Sequence, residues 1–285
     1  MAHFPTLDIS EKDSAGVNFL YHTVPGRCLL RLLICPSVSK ALGAFLDTGI
    51  SRHFVKPFVK STKLDLSDYP NVCYHSFNDF FTRKILPGRR PIDFDTDSLI
   101  SPCDGKLTVY TITEDSVFSI KHSSYALKDL LKDESLAKEF EGGNCLIFRL
   151  TPNDFHRYSF VDEGQVLSTK IIHGVLHTVR PIAFRRYPVY LENSREYAVL
   201  ETANYGKIVQ MEVGALFVGR IVNHTLTQFT RGQEKGKFEF GGSTVIMLLQ
   251  KDAAVIDSQL LENTKNNKES LVRLGSIIGK RGGRT

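Results

Sequence analysis

Lys237-Phe238-Glu239-Phe240-Gly241-Gly242-Ser243-Thr244-Val245-Ile246-Met247-Leu248-Leu249 joins a strand-like segment to an unbroken apolar run through two glycines and a serine. A Gly-Ser bond in that setting reads as hairpin punctuation, because glycine reaches backbone conformations that other residues avoid. The same bond also sets a hydroxyl beside a carbonyl, which is what a backbone needs to cut itself and leave a new carbonyl behind. Local sequence leaves both readings open, so the surrounding chain has to decide.

Upstream of this stretch, from about Ile92, the chain is mostly strand-like. Leu107–Thr113, Cys145–Leu150 and the segments 166–172, 187–191, 196–201, 207–213 and 216–223 are expected strands. Gly, Pro or polar turns separate them at the spacing of a barrel or sandwich. One helix interrupts them over 124–140, with Leu127, Leu130 and Leu131 in step and Gly142-Gly143 after its end. Asp104 stands on the turn Ser101-Pro102-Cys103-Asp104-Gly105, either as a turn former or as an ionised carboxylate held rigidly. The core strand Cys145–Leu150 delivers Thr151-Pro152-Asn153-Asp154-Phe155-His156. A histidine at a strand end is where catalytic groups are often presented, yet a lone histidine also serves as an ordinary satisfied polar residue.

The N-terminal part is different in kind. Residues 18–60 read as short helices broken by Pro25, Pro36, Gly49 and Pro57, with Leu29, Leu30, Leu33 and Ile34 on one face and Arg27 and Arg31 on another. After Pro36 the pattern repeats in Val38, Leu42, Phe45 and Leu46. Such faces either pack on the body of the protein or lie in a lipid headgroup region with the basic residues toward anionic lipid. Lys63–Tyr69 reads as a polar linker, and a short helix is expected from Ser76 through Phe80-Phe81 until Pro87-Gly88 ends it. The expected organisation is an N-terminal amphipathic region over 1–69, a β core over 70–262 and a loose basic tail over 263–285.

Composition sets limits. With 285 residues, 42% of them hydrophobic, the chain can bury a large core and is not disordered throughout. The net charge of +5 is concentrated at the ends: His22–Lys63 holds seven basic residues against Asp47, and Lys265–Thr285 six against Glu269. Both ends therefore suit an anionic surface. Five cysteines without a Cys-x-x-Cys pair favour free thiols in a reducing compartment. The polar start lacks a secretory signal, and no apolar run approaches the ~20 residues that span a bilayer. The protein is expected to be soluble or to lie on a membrane.

Several chemistries find little support. His173 and His177 are spaced i, i+4 with His224 further on, but Gly174 lies between them and no His-Glu-x-x-His arrangement is present, so no metal site is expected. Neither a dinucleotide fingerprint nor a Walker loop occurs. The basic ends lack interleaved aromatics and a helix-turn-helix pattern, which argues against nucleic acid.

Six stretches in order carry a family resemblance. They are Phe80-Phe81-Thr82-Arg83-Lys84 with Pro87-Gly88-x-Arg90-Pro91-Ile92, then Ser101-Pro102-x-Asp104-Gly105, and Arg149-Leu150-x-Pro152-x-Asp154-Phe155-His156-Arg157. Val213-Gly214-Ala215-x-x-Val218-Gly219, Arg231-Gly232-x-Glu234-x-Gly236 and Phe240-Gly241-Gly242-Ser243-Thr244-Val245 complete the set. Over residues 70 to 250 the chain resembles phosphatidylserine decarboxylases, pyruvoyl-dependent enzymes that mature by cutting themselves. The resemblance implies that Ser243 attacks the Gly242 carbonyl and that elimination then splits the chain into 1–242 and 243–285. Residue 243 becomes a pyruvoyl group, the cofactor, which captures the amine of phosphatidylserine as a Schiff base while CO₂ leaves to give phosphatidylethanolamine.

Asp104 and His156 are the residues the resemblance assigns to assist the cut, and His156, expected to have a near-neutral pKa, to protonate the substrate carbon afterwards. The chain departs from many relatives at Ser159, where they carry a second histidine. The resemblance further implies a homodimer and a peripheral place on the cytoplasmic side of an anionic membrane. A pyruvoyl decarboxylase of a soluble amino acid and a lipid-binding module that no longer cuts itself remain the alternatives. The second Gly-Ser bond, in Leu274-Gly275-Ser276, reads as ordinary tail. The fold expected is α+β, with N-terminal amphipathic helices packed on a mostly antiparallel β barrel or sandwich core.

Overall fold

The computed structural model describes residues 4–8, 15–120, 123–216, 220–241 and 243–283. A nine-stranded antiparallel sheet runs in the order Thr6–Asp8, Lys268–Val272, Gly105–Thr111, Asn144–Leu150, Ser243–Leu249, Gly206–Val213, Arg195–Thr202, Gly164–Ile172, Gln228–Phe229. The apolar run of the opening stretch is thus the fifth of nine strands, and each of its residues is buried. Its continuous apolar character has a direct cause, because both faces of the sheet are covered. Val245, Met247 and Leu249 join Leu107, Leu146, Phe148 and Leu150 in one core. Ile246 and Leu248 join Cys145, Ile147, Val209 and Met211 in the other.

The first core is closed by two three-stranded sheets. Ile221–Asn223, Glu234–Phe238 and Arg157–Ser159 form one, contributing Tyr158 and Phe238; Ala254–Ile256, Ile277–Arg281 and Ser98–Ile100 form the other, contributing Leu99, Ile256 and Ile278. The second core is closed by the hairpin Val117–Ile120 with Ser123–Ala126 and by short helices that bring Leu127, Leu130, Leu131 and Leu136. The architecture is α+β and sandwich-like. The large sheet is open, with Thr6–Asp8 and Gln228–Phe229 at its edges, so the barrel alternative is not the one realised.

Several segments depart from the sequence reading for identifiable reasons. The single helix expected over 124–140 is a strand end followed by Leu127–Leu131 and Glu134–Lys138. Lys132 at φ 50° breaks it, and the Asp133 side chain caps the second piece by accepting from the Leu136 amide. Pro188 starts a short helix, Val189–Glu192, where a strand was expected. Only Ile221–Asn223 of the expected strand 216–223 is formed, and residues 217–219 lie outside the described residues.

The largest correction concerns 263–285, which is no loose tail. Ser258–Lys265 is helical, Lys268–Val272 lies between Thr6–Asp8 and Gly105–Thr111, and Ile277–Arg281 lies between Ala254–Ile256 and Ser98–Ile100. Its basic residues Lys268, Arg273 and Lys280 point to solvent while Ser270, Val272 and Ile278 are buried, so charge counting concealed the strands. Gly275 at φ +83° makes the turn between them, in a conformation that favours glycine.

The N-terminal helices Ala15–His22, Val24–Leu33, Pro36–Leu46 and Val55–Thr62 are packed on one side only. Tyr21 and Leu30 enter the first core, and Leu46 with Phe58 joins an aromatic cluster around Phe77, Phe80 and Phe81. Val24, Leu29, Leu32, Phe45, Ile50 and Phe54 remain exposed. No single described helix is long and apolar enough to cross a membrane; Val24–Leu33 and Pro36–Leu46 together have the length and composition, bent by 66°.

Candidate active site

Ser243 is the first residue of the central strand and pairs with Leu150, while Thr244 pairs with Arg149 on one side and Val213 on the other. Arg149 in turn pairs with Lys106, which puts Gly105, Leu150 and Ser243 in the next row across three strands. An added Cβ on Gly105 would stand 3.7 Å from Leu150 Cδ1, consistent with that row. Asp104 therefore begins about two strand spacings, ~10 Å of backbone, from Ser243. His156 follows Leu150 beyond one turn, so the sheet gathers all three predicted residues at one end.

Ser243 is fully buried and its Oγ has no hydrogen-bond partner. Burial of an unpaired hydroxyl is costly, and such atoms cluster where chemistry is intended. Gly242, the other half of the predicted cleavage site, lies outside the described residues. Just before it, Gly241 has φ +135°, which favours glycine, and the Phe240 amide donates to Asn78 Oδ1 at 3.2 Å. The Phe240 ring packs 5.0 Å from Phe77 and 5.2 Å from Phe81, centroid to centroid. The chain leading into the Gly-Ser bond is thereby pinned to the short helix Phe77–Phe81, which Ser76 caps by accepting from the Asp79 amide.

His156 is also fully buried. Its Nδ1 lies 2.9 Å from the Asp154 carbonyl oxygen, so Nδ1–H donates there and Nε2 keeps its lone pair with no partner. The turn that presents it is closed by Asp154, whose carboxylate accepts from the Thr151 amide at 2.6 Å, the Thr151 hydroxyl at 2.8 Å and Lys106 Nζ at 3.2 Å. Phe81 covers the imidazole at 4.1 Å between centroids. Burial pulls the His156 pKa down to about 3, with the nearby positive charge of Arg83 acting in the same direction and Asp154 opposing. The expected near-neutral value is therefore corrected: His156 is a neutral imidazole at pH 7.

Asp104 is buried and held as an arginine's partner rather than as a histidine's. It accepts from Arg90 Nε at 2.8 Å, Arg90 Nη2 at 2.6 Å and the Leu274 amide at 2.8 Å, while Arg90 also reaches Asp68 at 2.8 Å. Its carboxylate makes no hydrogen bond to His156, whose two ring nitrogens are accounted for above. Ser159 contributes backbone to the seam beside this site: its amide donates to the Pro102 carbonyl at 2.8 Å and its carbonyl accepts from Gln210 Nε2 at 3.4 Å.

A second buried polar group shares the Ser243 face of the sheet. Glu212 pairs with Val245, one step diagonal from Ser243 and so roughly 7–8 Å away. Its Oε2 accepts from Lys235 Nζ at 2.6 Å and Asn223 Nδ2 at 3.1 Å, whereas Oε1 has no partner. Burial pushes the Glu212 carboxyl up and the ammonium of Lys235 offsets part of that. Sequence reading assigned no role to Arg90, Lys106, Asp154, Glu212 or Lys235. Arg90, Asp154 and Lys235 stand inside the six stretches, and Glu212 was detectable as a lone acid in an apolar strand.

The histidines first weighed as metal ligands are placed otherwise. His177 is buried, its Nδ1 3.3 Å from the Tyr21 hydroxyl, and burial pulls its pKa down to about 4. His224 pairs with Glu234 at 3.0 Å. Among the described residues no group of three His, Cys, Asp or Glu side chains is arranged to hold a metal ion.

Two reactive atoms, Ser243 Oγ and His156 Nε2, are thus sealed from water and left without a partner toward one end of the sheet. Comparison with known proteins supplies the family. Residues 77–280 match the family model described as phosphatidylserine decarboxylase. Phosphatidylserine decarboxylase proenzyme 2 of Clostridium acetobutylicum is 47% identical over 265 residues, covering 93% of this chain and 91% of that protein. The phosphatidylserine decarboxylase proenzyme of Clostridium perfringens (strain ATCC 13124) is 39% identical over 276 residues, covering 93% and 92%. That of Clostridium botulinum (strain Alaska E43) is 38% identical over 284 residues, covering 96% of each.

Proposed function

The chain belongs to the phosphatidylserine decarboxylase family, and from that premise we propose that it is a self-cutting proenzyme whose residue 243 becomes the reactive group of a carboxy-lyase acting on phosphatidylserine. The observation that carries the assignment of residues is the pair of buried, unpartnered atoms, Ser243 Oγ and His156 Nε2. His156, neutral and fixed in the Nδ1–H form, is the base that takes the Ser243 hydroxyl proton as Oγ attacks the Gly242 carbonyl carbon. The proton returns to the Ser243 nitrogen as the C–N bond breaks, leaving an ester. Loss of the residue 243 α-proton then expels the Gly242 carboxylate from Cβ. Water replaces the resulting enamine nitrogen as ammonia, and the chains 1–242 and 243–285 result.

The pyruvoyl group so formed supplies an electrophilic carbonyl that can take up the electron pair left when CO₂ departs. His156 serves a second time as a relay, taking a proton on Nε2 only transiently and passing it to the carbon that lost the carboxylate, since burial keeps the resting imidazole neutral. Asp104 acts through Arg90 and the Leu274 amide, locking residues 101–105 against the segment 273–276 beside the site. Exposed Val24, Leu29, Leu32, Ile50 and Phe54, with Arg27, Arg31 and Arg52 among them, support a peripheral position on the cytoplasmic side of an anionic membrane. The relatives favour neither a soluble amino acid substrate nor a module that does not cut itself.

Intact mass spectrometry tests the proposal. Wild-type protein should give two chains divided between 242 and 243, the smaller resistant to Edman degradation because a keto acid replaces its amine. Ser243→Ala should stay whole, and Asp104→Asn should cut more slowly because Arg90 loses one of its two charged partners and the lock on residues 101–105 is weakened. A wild-type chain recovered whole would refute the reading.

A further inference from the structure

Arg83 is a buried cation without an anion. It is 2% exposed, and its Nε and Nη2 have no hydrogen-bond partner, while Nη1 makes only long contacts of 3.4 and 3.5 Å to the Phe80 and Phe81 carbonyls. Other buried arginines among the described residues are satisfied. Arg149 forms a bidentate pair with Glu269 at 2.8 and 2.6 Å. Arg195 donates to the Leu130, Leu191, Asn193 and Asp129 carbonyls, and Arg231 to those of Asp93, Val161 and Ser98. Around Arg83 there are aromatic faces instead, with its guanidinium carbon 4.2 Å from the Tyr69 centroid and 5.0 Å from that of Phe80. Two rings cannot replace the hydrogen bonds of a desolvated guanidinium, so the site is incomplete as it stands.

Its position says what completes it. On one side, Tyr69 and Phe80 line an open groove of about 450 Å³ whose other walls include Val59, Leu66, Lys56 and Lys60. On the other side, the charge of Arg83 acts on His156, and Phe81, two residues earlier, covers that imidazole. Arg83 thus lies behind Tyr69 and Phe80, outside the groove's own lining, with His156 within reach of its charge. We propose that Arg83 is the residue that binds the substrate's phosphodiester, with the groove of Lys56, Val59, Leu66 and Tyr69 leading the glycerol end outward. The inference deepens the decarboxylase reading and rests on it.

The carboxylate of the substrate is the other anion of the right class, and reactivity argues against it. A guanidinium on the carboxylate that leaves as CO₂ would stabilise the ground state more than the transition state, where that charge has moved onto carbon. A phosphodiester keeps its charge throughout and sits a few bonds from the reacting carbon, with the acyl end beyond it. An apolar groove with two lysines suits that end. Entry requires Tyr69 to turn from the guanidinium, exchanging a cation–π contact for a charge-assisted pair.

The test reads binding and turnover separately in the full-length protein. Glycerophosphoethanolamine should raise the Tm of wild-type protein while ethanolamine alone does not. Arg83→Gln should abolish that rise and Arg83→Lys should retain part of it. In mixed micelles, Arg83→Gln should raise KM for phosphatidylserine by roughly 10- to 100-fold, as expected for a lost charged hydrogen bond, with kcat changed far less. Stabilisation by glycerophosphoserine but not by glycerophosphoethanolamine would assign Arg83 to the carboxylate and overturn the proposal, as would an unchanged KM in Arg83→Gln. If Arg83→Gln fails to fold, the same comparisons in Arg83→Lys decide. A wild-type chain that neither cuts nor releases CO₂ would sink the decarboxylase reading and with it the substrate named here, whereas a chain that cuts and releases CO₂ but shows no Arg83-dependent stabilisation would sink this inference alone.

Discussion

At the scale of single residues, the site is defined by what His156 cannot do in water. Sealed beneath Phe81 and donating from Nδ1 to the Asp154 carbonyl, it stays neutral and keeps Nε2 available as an acceptor. The same burial links it to stability. An unfolded histidine protonates near 6.5, the folded His156 only at about 3, so between those values the unfolded chain binds a proton that the folded chain refuses. Stability is therefore greatest above pH 6.5 and falls as pH drops toward 3, by up to ~1.4 kcal/mol per pH unit for one such histidine. His177, pulled down to about 4, adds to the same window. In the uncut Ser243→Ala background, a further His156→Gln change should shrink the stability lost between pH 7.5 and 5.5 by about 1 kcal/mol in urea unfolding. An identical pH dependence with and without His156 would mean the imidazole is not held neutral. Ser243, Asp104 and His156 were nominated by the family resemblance of the stretches that carry them, their local turns alone leaving a structural reading open. Their partners were not: Asp104 binds Arg90 across 14 positions and the Leu274 amide across 170, which only the folded topology supplies.

At the scale of elements, legibility followed burial. Strands such as Asn144–Leu150 and Ser243–Leu249 are apolar on both faces and announce themselves. Lys268–Val272 and Ile277–Arg281 carry lysines and arginines outward and buried groups inward, so a residue count saw only charge. The helices of residues 15–62 present the converse problem, since their pattern fits burial and lipid contact equally and the structure uses one side for packing. The free side carries Leu32 at 65% and Ile50 at 69% exposure beside basic residues. Each such side chain loses about 1.5–3 kcal/mol of available burial by facing water. The protein should cosediment with vesicles containing phosphatidylserine and not with pure phosphatidylcholine vesicles. Leu32→Glu with Ile50→Glu should weaken that binding by roughly tenfold or more, from the lost apolar burial, without changing the extent of self-cutting. Equal sedimentation of the variant and the wild type would exclude this face as the lipid contact.

At the scale of the whole molecule, the proposed cut between 242 and 243 raises the question of what would hold the two pieces together. Residues 243–285 provide the central strand of the large sheet, flanked by Asn144–Leu150 and Gly206–Val213, and a second strand of it between Thr6–Asp8 and Gly105–Thr111. They also provide two of the three strands in the sheet with Ser98–Ile100. Their apolar residues are distributed through both cores, and the buried pair Arg149–Glu269, at 2.6 Å, joins the two pieces. Cleavage there would sever one backbone bond at the end of the central strand and remove none of these contacts, so the only gain on separation would be the freedom of the small chain. That gain is far smaller than the cost of exposing a strand buried on both faces. The two chains should therefore elute together in gel filtration, in dilute buffer and in 1 M salt, where surface ion pairs are screened but the buried contacts are not. They should separate only where urea unfolds the body of the protein, at the same midpoint by which its secondary structure is lost. Release of the small chain by salt alone would show that it lies on the surface rather than within the sheet.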